Sequence, residues 1–247
     1  MAIQRPFRRT VRQFSDGSYA NGGCSRYILH PKYSVDSAHY VRALNVIQKD
    51  VVYLFDYIEP SDANLSCYSF RTHELLMRIC IEVEANLKAI LLENGYTKAG
   101  NLNMADYKKV EGSHFLSCYA IQIPIWREGP RTIYPFENWM DVGKPVWYQD
   151  YNAAKHDRHA AFPKANFENL LQAVAGLVVL ISSQFRDEDF SRRSSSITIE
   201  EISDEFEDAV GGLFRIRYPN NIATDLRYDF SWDSLMDDAD PFDGYKY

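Results

Sequence analysis

Residues 66–94 read SCYSFRTHELLMRICIEVEANLKAILLEN. Apolar side chains recur in this stretch every three or four positions, which places them on one face of an α-helix. Gly95 follows directly, and glycine ends helices readily because it adopts a left-handed backbone without strain. The sequence therefore predicts a long amphipathic helix whose buried stripe consists of Leu75, Leu76, Ile79, Val83, Leu87, Ile90 and Leu91.

A polar row lies on the same predicted helix. Side chains that are three or four positions apart are neighbours on a helix surface. Two interpretations of the row stay open: a solvated ladder of ion pairs, or one wall of a cleft. The row consists of Arg71, Glu74, Arg78, Glu82 and Asn86.

Three further segments carry helical spacing. Residues 35–58 form an amphipathic pattern that stops before Pro60, since a residue that precedes proline disfavours helix. Residues 146–160 begin after Pro145, and residues 164–185 carry the most apolar stripe of the chain. Helices with short links within each pair are typical of antiparallel bundles. We therefore predict a mainly α fold, with an antiparallel helical bundle over residues 34–185.

The bundle is interrupted by residues 96–145, which are less regular. A short helix is expected at 104–110, and the alternation in 119–126 predicts a strand. The turn residues 127–130 and the following segment 131–136 would complete a small β-hairpin. This segment therefore looks like an insertion in the bundle, not a separate domain.

Both ends of the chain differ from the bundle in composition. Residues 1–33, rich in Arg, Ser, Gly and Tyr, predict an N-terminal arm, either extended or a small hairpin. Residues 186–247 predict a polar linker and an acidic C-terminal extension, with a short acidic helix at 197–210 and a strand at 213–218. From Asp225 onward, Asp repeats among aromatic residues. We expect this tail to be partly disordered and dispensable for folding, because its charge opposes a packed core.

Composition narrows the classes of function. The formal net charge is −7 at pH 7, so the chain lacks the overall excess of basic residues that is typical of nucleic-acid-binding proteins. A local basic pocket is compatible with this total charge. The four cysteines have no zinc-finger spacing and fit a reducing compartment. No apolar run is long enough for a membrane span and no secretory signal is visible. We expect a cytoplasmic protein that does not span a membrane and that uses no metal or other cofactor.

The most informative polar segment is YNAAKHDR at residues 151–158. On a helix, Asn152, Lys155, His156 and His159 would share one face, flanked by Tyr151 and Arg158. An imidazole exchanges protons near neutral pH, and Lys and Arg hold anionic oxygens. These groups suit acid–base work on a phosphate ester. The alternative is a solvated helix end where cations complement the helix dipole.

The first interpretation assigns a role to each residue. The predicted catalytic residues are His156, Asn152 and Arg158. The predicted phosphate-binding residues are Lys155, Arg158 and Arg71. The predicted supporting residues are Tyr151, His159, Glu74 and Glu82, and no residue is assigned to a metal.

The segment Tyr151-Asn152-x-x-Lys155-His156 resembles the signature of HEPN domains, which are helical bundles. Active members of that family carry Arg, then a polar residue that is often Asn, and then His on the helix before the last long one. The order of helices over about residues 35–185 is also similar. Where the family has Arg, five residues before His156, this chain has Tyr151, so the motif is degenerate.

The resemblance implies a homodimer whose two motif helices meet in an RNA-cleaving cleft. His156 would be the acid or base and Asn152 its orienting neighbour. One hypothesis is accordingly a metal-independent endoribonuclease or RNA-binding protein of a bacterial defence, toxin–antitoxin or stress system. The alternatives are a non-catalytic dimerisation or regulatory module, or a sensor of a nucleotide or phosphate ligand. The acidic tail is a candidate docking segment for a protein partner.

Overall fold

The computed structural model describes residues 2–190 and 204–247. Within these residues the helices of the bundle and its insertion are α1 (Ser37–Phe55), α2 (Phe70–Glu93), α3 (Met104–Tyr107), α4 (Val110–His114), α5 (Trp139–Val142), α6 (Val146–His156), α7 (Arg158–Ala161) and α8 (Phe167–Phe185). The C-terminal region adds α9 (Trp232–Leu235), and the strands are β1 (Ala120–Ile123), β2 (Arg131–Ile133), β3 (Glu207–Asp208) and β4 (Arg215–Arg217). The prediction of a mainly helical chain with a small β component is confirmed.

Helix α2 has well-defined ends. Ser69 and Thr72 form a capping box at its start, in which each side chain accepts a hydrogen bond from the other's backbone N–H. At its end, Gly95 has a φ of 85°. The N–H of Tyr96 reaches the carbonyl of Leu91 at 2.9 Å, so the helix closes with a Schellman motif. Gly95 is therefore the stop that the sequence predicts, and the helix begins at Phe70.

Helix α8 is the centre of the bundle and packs most extensively against α2. Nearly all of its residues are buried. By length and composition α8 is apolar enough to cross a membrane, with a mean hydropathy of 1.3, but 89% of that window is buried inside the protein. A helix that is apolar on all sides and covered by its own chain is a core helix.

The polar row of α2 divides along its length. Asn86 is fully buried, and its Oδ1 accepts a hydrogen bond from the Gln184 side chain of α8 at 2.9 Å. Arg78 instead pairs with Asp50 of α1 at 2.6 Å, and Arg71 pairs with Glu74 at 3.2 Å in an exposed position. The row therefore combines a buried link between helices with surface ion pairs.

Helix α6 packs against α2 and α8, and a glycine allows its close approach. A Cβ atom at Gly176 of α8 would lie 3.2 Å from the Trp147 ring and 3.3 Å from the Phe136 ring. The indole N–H of Trp147 donates to the carbonyl of Pro135 at 2.9 Å. The insertion and α6 are thus held together on α8.

The predicted hairpin is confirmed by the antiparallel pair β1–β2, in which Ile121 faces Ile133. Strand β4 pairs with the other edge of β1, and β3 pairs with β4, which gives the order β2-β1-β4-β3. The strand expected at 213–218 is therefore present, and it belongs to the same sheet as the insertion. The expected acidic helix at 197–210 is wrong at Glu207–Asp208, which form β3, and its residues 197–203 lie outside the described residues.

The expectation that the tail is partly disordered is wrong. Its aromatic side chains are buried against the N-terminal arm, with Tyr228 0% and Trp232 4% exposed. Residues 3 and 14 of the arm form backbone bridges with Tyr228. Around the buried aromatic residues, the tail's aspartates also bind the arm: Asp238 pairs with Arg5 and Asp240 with Arg8, each at 2.5 Å. Acidic residues thus alternate with buried aromatic residues along the tail, and the tail's overall composition does not reveal this alternation.

Two arginines of the arm lie inside the protein. Arg9 is 0% exposed, 2.8 Å from the Glu93 carboxylate. Arg12 is 1% exposed, donates to the carbonyl of Ser113 at 2.8 Å and lies 5.0 Å from the Phe115 ring centroid. Buried cations need such partners to offset their desolvation. The predicted arm is therefore part of the folded core.

We predict that deletion of residues 225–247 abolishes cooperative unfolding. The deletion removes four buried aromatic side chains, and each large-to-small change in a core costs about 3–5 kcal/mol, against a typical total stability of about 5–15 kcal/mol. Thermal melting followed by circular dichroism measures this. The four side chains are Tyr228, Phe230, Trp232 and Phe242.

The double variant Asp238→Asn with Asp240→Asn is the matched control, because exposed ion pairs contribute less than about 1 kcal/mol each. It should melt close to the wild-type protein. A deleted protein that melts cooperatively at the wild-type temperature would show that the tail is not part of the core.

Candidate functional site

The predicted motif helix is broken in its middle. Asp157 has φ −135° and ψ 76°, and its carboxylate accepts a hydrogen bond from the N–H of Ala160 at 3.0 Å. It therefore ends α6 at His156 and caps the short helix α7. The prediction of one helix over 146–160 is wrong at this point. Arg158 and His159 consequently do not continue the helical face that carries Asn152 and His156.

Tyr151 points into the protein. Its side chain is 1% exposed, and its hydroxyl donates to the Glu84 carboxylate of α2 at 3.3 Å. The hydroxyl of Tyr148 donates to the same oxygen at 2.9 Å. Burial, followed by the Glu84 charge, raises the pKa of Tyr151. Tyr151 is thus an uncharged link between α6 and α2.

Lys155 and His156 occupy the exposed last turn of α6. The Nζ atom of Lys155 donates to the Tyr151 hydroxyl at 3.1 Å and lies 5.2 Å from the centroid of that ring. Its ammonium group therefore lies next to the hydrogen bond between Tyr151 and Glu84. Asn152, one turn before His156, is half-buried.

Arg158 reaches from α7 to the start of α2. Its guanidinium carbon lies 5.8 Å from the ring centroid of Phe70, and Phe70 is 68% exposed. The ring centroid of Phe162 lies 5.0 Å from that of Phe70 and 5.6 Å from those of Tyr68 and His73. We call this surface the basic–aromatic patch. It consists of Arg158 with Tyr68, Phe70, His73 and Phe162, and we include with it the exposed neighbours of Arg158 in the chain, Lys155, His156 and His159.

Backbone hydrogen bonds hold the two sides of the patch together. Tyr68 and Asn166 form an antiparallel bridge, and the N–H of Phe167 donates to the carbonyl of Cys67 at 2.8 Å. These bonds join the segment before α2 to the segment before α8. Because Phe162 lies just before this junction, its ring comes to rest on Phe70. The patch is therefore fixed by the meeting of two helix starts.

The other predicted site residues lie elsewhere. Arg71 and Glu74 line a groove between α1 and α2, which we call the α1–α2 groove. Glu82 lines a different depression together with His39 and Arg42, where burial raises its pKa. On α2, Glu82 lies eight residues beyond Glu74, or about 12 Å along the helix axis. The structure therefore places Arg71 and Glu74 together at one groove and Glu82 at a different depression.

The patch suits the binding of an anion that also carries flat rings. Arg158 lies beside the exposed ring of Phe70. Lys155 is exposed three residues earlier in the chain, and the imidazoles of His156 and His159 are exposed. In the described ranges, no three His, Cys, Asp or Glu side chains gather closely enough to hold a metal ion.

Sequence reasoning missed Tyr68, Phe70, His73 and Phe162, as well as Glu84. Tyr68, Phe70 and His73 lie in the first turns of the helix predicted over 66–94, and Phe162 lies between two predicted helices. An aromatic residue in such a place usually signals packing. A clue exists in the sequence, since Tyr68 and Phe70 lie at the start of α2 and Phe162 comes four residues after the polar motif. Their proximity in space requires the junction between residues 65–68 and 166–168, which no local pattern predicts.

Comparison with known proteins adds no family assignment: no family model, no curated protein and no solved structure matches the chain. Function must therefore be inferred from the site itself.

Proposed function

We propose that the protein binds single-stranded RNA through the basic–aromatic patch, as a HEPN-like RNA-binding protein. The observation that supports this most directly is the Arg158 guanidinium 5.8 Å from the exposed Phe70 ring, with Lys155 and His156 exposed on the neighbouring helix end. Guanidinium and ammonium groups contact phosphates. Exposed aromatic faces stack on bases.

The chemistry favours a single strand over a duplex. Bases can stack on Phe70 and Tyr68 only when they are unpaired and splayed out. The net charge of −7 repels a polyanion at long range, so binding depends on the local cations. Such binding weakens steeply as salt rises, because each phosphate contact releases counterions.

Position 151 favours binding over cleavage. A permanent cation at this position would face the scissile phosphate in the proposed HEPN-like arrangement. Here Tyr151 is buried and donates to Glu84, so it carries no charge to a phosphate. Cleavage remains a second candidate because the imidazole of His156 is exposed beside Lys155. The homodimer and the role in bacterial defence rest on the resemblance alone.

We predict that the double variant Lys155→Ala with Arg158→Ala binds a fluorescein-labelled RNA dodecamer at least about tenfold more weakly than the wild type at low salt. The slope of log affinity against log salt should also become shallower by about 1.4, since each lost contact to a single strand removes about 0.7. Fluorescence anisotropy over a salt series measures both quantities.

The matched control is Lys49→Ala with Lys88→Ala, which removes two exposed cations from α1 and α2 outside the patch. This variant should keep the wild-type affinity and slope to within about twofold. Equal losses in both double variants would mean that only overall charge matters, and absence of binding by the wild type would refute the proposed function.

We predict that RNA stays intact when incubated with the wild-type protein in the presence of a chelator. The reason is that the buried, uncharged Tyr151 stands where the HEPN motif has its arginine. Denaturing gels of labelled RNA, with His156→Ala as the comparison, measure this. Fragments that appear with the wild type and disappear with His156→Ala would establish cleavage in place of simple binding.

A further inference from the structure

The α1–α2 groove is a second cavity of a size that suits a small ring system. Its volume is about 590 Å³, within the range of about 300–1,000 Å³ for ligand sites. Its floor is apolar, formed by Leu54 and Ile58 of α1 and its C-terminal flank and by Leu75 of α2.

Two tyrosines form one wall of the groove. Tyr53 is 60% and Tyr57 is 72% exposed, although both lie beside the apolar floor. Their hydroxyls are 2.9 Å apart, and their ring centroids are 5.2 Å apart at an angle of 66°. This hydrogen bond raises the pKa of Tyr57. The wall thus offers ring faces whose orientation is fixed.

The charges that line the groove are balanced, with one ion pair on α2 and one between α2 and α1. Arg71 pairs with Glu74 at 3.2 Å, and Arg78 pairs with Asp50 at 2.6 Å. Each cation therefore has a carboxylate beside it, which disfavours a bare phosphate in the groove. Carboxylates and guanidinium groups both hydrogen-bond the edges of bases. The groove therefore fits a neutral ring with polar edges.

The groove and the patch meet at the first turn of α2. Ser69 and Arg71 line the groove, whereas Phe70 between them belongs to the patch and contacts Arg158. Consecutive residues of α2 thus serve both surfaces. A strand that crosses the patch can therefore enter the groove without leaving the protein surface.

We propose that the α1–α2 groove is a nucleobase subsite, in which a base of the RNA strand bound at the patch stacks on Tyr53 and Tyr57. This inference rests on the proposed function. The patch supplies the phosphate contacts, and the groove supplies a contact with the base alone. The patch and the groove together therefore fit a single strand of several nucleotides.

The double variant Tyr53→Leu with Tyr57→Leu tests the subsite, with a fluorescein-labelled oligoadenylate dodecamer as the probe. Anisotropy should give an affinity about tenfold weaker than that of the wild type, which corresponds to loss of one stacked base. The salt slope should stay unchanged, because no phosphate contact is removed. Circular dichroism establishes that the variant is folded.

Two further variants sharpen the result. Tyr53→Phe with Tyr57→Phe keeps both rings and should bind as tightly as the wild type to within about threefold. Val52→Ala, an exposed position of α1 outside the groove, should also bind normally.

A leucine variant that binds like the wild type would refute the subsite and leave the proposed function standing. A leucine variant with a shallower salt slope would refute the assignment of a base to the groove. A wild-type protein that binds no RNA would refute both proposals together.

Discussion

Burial of α8 against α2 is the constraint on which the remaining structure depends. Helix α8 is largely apolar and buried on all sides, so it must be covered by α1, α2, α6 and the sheet before it is stable in water. Its start is joined to the start of α2 by hydrogen bonds between residues 65–68 and 166–168. This junction carries Phe162 to Phe70. The position of the candidate site therefore follows from the packing of the core.

The long helices could be predicted from sequence because their signals are local. Apolar spacing and Gly95 define α2. The run of apolar residues in α8 predicts a buried helix, because a surface helix would need a polar face. The tail could not be predicted in this way. Its aspartates dominate the local composition, whereas its stability comes from Tyr228 and Trp232 meeting an arm more than 200 residues earlier in the chain. Contacts at that separation leave no periodic trace.

The candidate site shows the same division. The cations Lys155 and Arg158 are visible in the sequence as polar residues of one segment, and both lie on the exposed patch. Helical geometry alone did not predict the break at Asp157, since an aspartate can either continue a helix or cap the next one. The Tyr151–Glu84 hydrogen bond joins separate helices, so it becomes visible only once their packing is known. The sequence therefore predicts some of the residue types in the candidate site, but it does not predict how they are arranged in space.

Mapping where RNA touches the protein tests the central claim most directly. A single-stranded RNA that carries 4-thiouridine would be photo-crosslinked to the wild-type protein, and the modified peptides would be identified by mass spectrometry. We expect crosslinks within residues 66–73 and 155–164, which hold the aromatic and basic sides of the patch. Crosslinks confined to the N-terminal arm or the β-sheet would contradict it.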